Sequence, residues 1–124
     1  MNVKQDDKPL YWIASARKDL KTFPEDVVDS IGFRLRLIQR GYTPDRAKPL
    51  KGFGGKGLYE IVEDFDTDTY RVIYTVRFRK AVYVLHTFMK KAHHGIRTPQ
   101  KELDVIRYRL KAAEEDYLKR YPED

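Results

Sequence analysis

Arg71 is the residue whose surroundings most need an explanation. It stands in Tyr70-Arg71-Val72-Ile73-Tyr74, a run otherwise made of aromatic and β-branched residues. Burying a guanidinium without an anion beside it is costly. An internal salt bridge to a carboxylate such as Glu60 or Glu63 would meet that cost, and so would an anionic substrate; the residues leave both open. Further cations cluster in the same stretch of sequence, at Lys48, Lys51, Lys56, Arg77, Lys90 and Lys91, and His86 lies in Val84-Leu85-His86-Thr87-Phe88. Such a set suits cleavage of RNA at its own 2′-hydroxyl, which uses neither a metal ion nor a protein nucleophile. That reaction needs in-line positioning, a group to take the 2′-proton, a group to protonate the leaving 5′-oxygen, and positive charge on the phosphorane. Arg71, Lys90, Lys91, Lys51 and His86 could fill those roles. Tyr59, Tyr70, Tyr74, Tyr83 and Phe88 could stack bases, although each suits cross-strand packing equally. A hydrogen-bonded structural role is the ordinary one for a histidine like His86.

Other chemistries lack their residues. There is no GxSxG elbow for a serine hydrolase and no GxxxxGK[ST] loop for a nucleotide. Cysteine is absent and the three histidines, His86, His93 and His94, include no HExxH, so neither a metal nor a cofactor is expected. Asp64, Asp66 and Asp68 read as turn formers, because Asp bonds its own backbone in tight hairpins. The glycines at 52, 54, 55 and 57 would let the backbone approach a phosphate, or would serve a plain turn.

The elements that must position these groups follow from pattern. Leu58 to Phe65, Thr69 to Val76 and Ala81 to Met89 read as three strands in hairpin succession. Leu10 to Ala14 reads as a first short strand. Ser15 is placed to cap a short helix over 16–22. A second helix is expected from Pro24 to about Arg40, with Glu25 and Asp26 at its positive end and Gly41 as its stop. Val28, Ile31, Leu35 and Ile38 form its apolar stripe, and Arg34, Arg36 and Arg40 read as its solvated side. Tyr42 to Lys56 reads as a loop, and His93-His94-Gly95 as a turn. Thr98-Pro99 opens a last helix over 99–121 that is mostly charged beyond Glu114 and is expected to protrude.

The 124 residues predict a single domain, 1–124. Its class is α+β: a small antiparallel (mixed) sheet flanked by two N-terminal helices and a C-terminal helix. A net charge of +6 favours a polyanionic partner. With no apolar leader and no apolar run of about 18 residues, a soluble, cytoplasmic protein is expected, with no membrane partner.

Several blocks, in their order, resemble the RelE/ParE toxin superfamily, and its phage-derived HigB-like branch in particular. They are Leu50-Lys51-Gly52, Gly57-Leu58-Tyr59-Glu60-Ile61, Tyr70-Arg71-Val72-Ile73-Tyr74, and Leu85-His86-Thr87-Phe88-Met89-Lys90-Lys91 followed by Thr98-Pro99. The resemblance implies a RelE-like fold and the toxin of a type II toxin–antitoxin system. Such a toxin is a ribosome-dependent mRNA endonuclease that inhibits translation and is neutralised by a cognate antitoxin, often of the helix-turn-helix HigA-like kind. It implies catalytic roles for Arg71, Lys90, Lys91 and His86, with Arg71 on the scissile phosphate. Lys51, Lys48, Lys56, Tyr59 and Arg77 are expected to bind RNA. The chain departs from RelE in lacking lysines along Leu58 to Val62, and from YoeB in having Lys48 where that toxin has a glutamate. The same superfamily leaves a ParE-like gyrase poison, or an inert antitoxin- or RNA-binding relic, as alternatives.

Overall fold

The computed structural model of the chain describes residues 7–55, 57–91 and 98–124. Among them, five strands form one mixed sheet in the order β1-β5-β4-β3-β2. The strands are β1 (Leu10–Trp12), β2 (Ala47–Pro49), β3 (Leu58–Phe65), β4 (Asp68–Thr75) and β5 (Val82–Lys90), with α1 (Ala16–Leu20), α2 (Glu25–Gln39) and α3 (Gln100–Arg120). Only the β1–β5 pairing is parallel. β3 and β4 meet through Asp66-Thr67, where Asp66 takes φ +60, a left-handed conformation Asp tolerates. α2 ends as its glycine predicts. Gly41 (φ +95) donates its N–H to the Ile38 carbonyl and Tyr42 donates to that of Leu37, closing the two bonds of a Schellman cap.

Alternation along the strands sorts side chains onto two faces. On one face Ile61, Tyr70, Val72, Tyr74, Val82 and Val84 pack against Ala16 and Leu20 of α1 and Val27, Ile31, Leu35 and Ile38 of α2. On the other, Leu58, Ile73, Tyr83, Leu85 and Phe88 pack against Ile106, Leu110, Ala113 and Tyr117 of α3. The sheet is thus a middle layer with a separate core on each side. No helix among the described residues is long and apolar enough to cross a membrane.

Some expectations needed correction. The stretch taken as a loop after Gly41 contains β2, whose Ala47, Lys48 and Pro49 pair with Ile61, Glu60 and Tyr59. A proline is admissible there because β2 is an edge strand. Arg34 is not solvated: with its side chain 12% exposed, it meets Asp45 at 3.3 Å and Glu63 at 3.6 Å. Val27 is buried in the α2 stripe, while Val28 is only half-buried. Ser15 does stand at the start of α1, but its hydroxyl bonds the Asp19 carboxylate (2.7 Å) instead of capping the backbone. The N-cap position of α3 is Pro99, not Thr98. The end of α3 does not protrude. Tyr117 is buried against Phe78 and its hydroxyl accepts the Lys80 N–H, while the Tyr121 hydroxyl meets that of Tyr11. His93, His94 and Lys56 lie outside the described residues.

Candidate functional site

An extra residue in β5 assembles the site. Ile73 pairs with His86, yet the next residue, Tyr74, pairs with Val84, so Leu85 has no opposite number. A bulge of this kind changes the phase of a strand. Val82 and Val84 face α1 and α2, whereas His86, Phe88 and Lys90, beyond the bulge, share the face of α3. Thr87 alternates back, and its hydroxyl donates to the Ala16 carbonyl at 2.8 Å. Without the shift, His86 and Lys90 would point away from Arg71.

Arg71 sits between Val62 of β3 and Phe88 of β5 and is 3% exposed. Its Nη1 donates to Glu60 Oε1 at 2.8 Å, and Glu60 is itself 5% exposed. The internal salt bridge left open by the sequence is therefore formed. Lys48 stands directly opposite Glu60 on the neighbouring strand and is exposed. Lys90, half-buried, stands opposite Thr69. Lys48, Glu60, Arg71 and Lys90 consequently share one face across β2, β3, β4 and β5. Lys91 follows at the end of β5, exposed. The described residues bring together no group of three or more His, Asp or Glu side chains placed to hold a metal ion.

His86 belongs to a neighbouring cluster. Its Nε2 lies 2.6 Å from Glu102 Oε1, and its Nδ1 lies 3.1 Å from Nη1 of Arg109. Because a guanidinium can only donate, Nδ1 accepts and Nε2–H donates to Glu102, which assigns the neutral tautomer. Arg109 also donates to the Leu85 carbonyl (3.0 Å) and to the Ser15 hydroxyl (3.2 Å), tying α3 to the bulge and to α1. Glu102 and Arg109 escaped the sequence reading. Their signal was their spacing of seven residues, about two turns of α3, which puts them on one flank of the helix.

The remaining candidates are spread out. Lys51 is exposed in the loop after β2. Arg77 is committed to Glu114 at 2.5 Å and lies over the Phe78 ring. Tyr59, half-buried, stacks on Tyr74 with centroids 5.7 Å apart. Tyr70, Tyr74, Tyr83 and Phe88 are buried and serve as core. Burial is the main cause that raises the Tyr74 phenol far above its usual range, and Tyr59 adds to it.

Residues 18–111 match the model of the family described as "Phage derived protein Gp49-like (DUF891)". No curated protein matches the sequence. Among solved structures, a chain of the toxin–antitoxin complex RelBE2 from Mycobacterium tuberculosis is similar at 19% identity. The similarity covers 70% of this chain and 99% of that one, with a TM-score of 0.46.

Proposed function

The chain belongs to the phage-derived Gp49-like family, of the RelE and HigB toxin type, and on that premise we propose that it is the toxin of a type II toxin–antitoxin system. It acts as a metal-independent mRNA endonuclease on translating ribosomes. The observation that carries this reading is the shared face of Lys48, Glu60, Arg71 and Lys90, with Lys91 at its margin. Cations and one carboxylate on a rigid sheet are what 2′-hydroxyl attack requires.

In the free protein Glu60 is the counter-ion of Arg71. A scissile phosphate would take that place, leaving Arg71 to stabilise the phosphorane and the released Glu60 carboxylate to accept the 2′-proton. The ammonium of Lys90 or Lys91 gives a proton to the leaving 5′-oxygen as its bond to phosphorus breaks. Lys90 and Lys91 hold the RNA and Lys48 and Lys51 add phosphate contacts. His86 suits proton transfer less well, since both its ring nitrogens are engaged; its role is to brace the bulge. The partners are mRNA on the ribosome and a cognate antitoxin of helix-turn-helix type, whose acidic groups would cover the basic face.

The test is induced expression with growth and mRNA 5′ ends followed together. Lys90→Ala/Lys91→Ala changes groups at the rim of the site and should leave the fold intact. Wild type should arrest growth and produce new in-frame cuts, and the double variant should reduce cutting about 10²-fold, the scale of losing transition-state charge contacts. Arrest with intact mRNA would replace this reading with that of a gyrase poison. No arrest would leave an inert binder.

A further inference from the structure

The glycine-rich loop after β2 forms a feature of its own. Gly52, Phe53 and Gly54 face Arg107, Leu110, Lys111 and Glu114 on the flank of α3 across an open groove of about 310 Å³. Phosphate is the ligand this groove suits. The loop backbone is bare: Gly52, Gly54 and Gly55 have φ of +97, +55 and +74, and nothing stands within 4 Å of where a Cβ would be. Glycine at left-handed φ lets an anion come close to the main chain. The walls are cationic. The Arg107 guanidinium rests over the buried Phe53 ring, 4.9 Å from its centroid, which positions the cation without neutralising it. Lys111 is exposed and has no carboxylate partner among the described residues. The groove's own carboxylate, Glu114, is bound to Arg77 at 2.5 Å. The groove also continues the proposed reaction face, because Lys48 opposite Glu60 leads within three residues to Lys51 at the loop's start.

We infer that the loop 51–55, Arg107 and Lys111 form a second phosphate-binding track that holds the single-stranded RNA backbone flanking the cleavage point. The inference rests on the RNA-cleaving reading and adds to it a substrate path over α3. Two phosphates held by Arg107 and Lys111 define its size.

The full chain is titrated with a fluorescent, uncleavable 2′-O-methyl oligonucleotide over a range of salt concentrations. For a single strand each phosphate contact contributes about 0.7 to the slope of log affinity against log salt. Arg107→Gln/Lys111→Gln should therefore flatten the slope by about 1.4 and weaken binding about tenfold at low salt. Lys18→Gln/Lys119→Gln removes equal charge from exposed sites elsewhere and should leave the slope nearly unchanged. If Arg107→Gln loosens the loop through Phe53, Lys111→Gln alone should still flatten it by about 0.7. An unchanged slope in the groove variant, or an equal loss in the control, overturns the track while mRNA cleavage by wild type still stands. Loss of binding to polyglutamate but not to the oligonucleotide overturns it in favour of an acidic protein partner. A wild type that binds no oligonucleotide overturns the track, and if it also leaves mRNA uncut when expressed, the RNA-cleaving reading falls with it.

Discussion

Glu60 and Ile61 are neighbours on β3 and point to opposite sides of the sheet, where different physics applies. Ile61 joins a face whose contacts to α1 and α2 are mostly apolar, with the Glu63–Arg34 ion pair and the Thr87 hydroxyl on the Ala16 carbonyl as its polar exceptions. Glu60 joins a face that begins apolar under α3, at Leu58, Ile73, Tyr83 and Leu85, and turns ionic at Glu60 and Arg71. One face supplies cohesion, since burying apolar area is the dominant favourable term in folding. The other holds charges whose desolvation their mutual attraction roughly offsets. A rigid support beneath reactive groups keeps their geometry when a ligand displaces one of them.

The sharpest way to break that contrast is to remove one charge. Arg71→Ala leaves Glu60 buried and uncompensated and should cost about 3–5 kcal/mol. Ile61→Ala on the opposite face should cost a comparable 2–5 kcal/mol by leaving a cavity. The two losses have different origins, and a second substitution separates them. Adding Glu60→Leu to an Arg71→Leu chain should recover most of the ionic loss, as replacing both partners of a buried pair does. Urea denaturation of these variants decides the matter: a double variant no more stable than Arg71→Ala would mean that the pair itself holds the sheet together.

A smaller effect is expected where the two faces are joined. Arg109 on α3 reaches His86, the Leu85 carbonyl at the bulge, and Ser15 ahead of α1. Arg109→Ala should cost about 2 kcal/mol, the scale of hydrogen bonds made by a charged group. It should also speed amide exchange around Leu85 more than in β3. Uniform exchange changes across the sheet would argue that Arg109 does not brace the bulge.

The three long strands, α2 and α3 were legible because each repeats its period over many residues, whereas the five-residue α1 was placed only by Ser15 ahead of it. β3 falls on the expected bounds, and β4 and β5 start or end within one residue of them. β2 was not legible, since three residues ending in Pro49 carry no periodicity. The face shared by Arg71, Lys90 and His86 was hidden for a related reason. It depends on one unpaired residue in β5, and a bulge at Leu85 leaves no mark because every residue from Val82 to Leu85 is apolar, so no alternation shows where the phase changes. Arg34 and Arg109 were hidden because an arginine on an amphipathic helix reads as solvated until its carboxylate or carbonyl partner is placed by another element. The end of α3 misled for the opposite reason: its charges look like a free surface, yet Asp116 bonds both Tyr83 and Arg120.

That last contact gives the smallest effect, and its pH dependence identifies it. The Tyr83 hydroxyl donates to Asp116 at 2.6 Å, joining β5 to α3 on the mixed face. Burial first, and then the bond to Asp116, raises the Tyr83 phenol above its usual range. Burial pushes the Asp116 carboxyl up, but the bonds from Tyr83 and Arg120 and the nearby positive charge outweigh it and hold it below its usual value. Tyr83→Phe should cost about 1 kcal/mol near pH 7, toward the low end for a charged hydrogen bond because Asp116 is partly solvated. A depressed carboxylate stabilises the fold above its unfolded pKa and loses that contribution as pH falls, so the gap between wild type and Tyr83→Phe should shrink below about pH 4. A raised phenol stabilises below its unfolded pKa and loses that contribution as pH rises, so the gap should shrink again above about pH 10. On the apolar face Val84→Ala has no titrating partner, and its cost should stay level across the same range. Thermal denaturation from acid to alkali measures both. A Tyr83→Phe cost as flat as that of Val84→Ala would show that the hydroxyl and Asp116 are not coupled, and that α3 is held on its face by apolar packing alone.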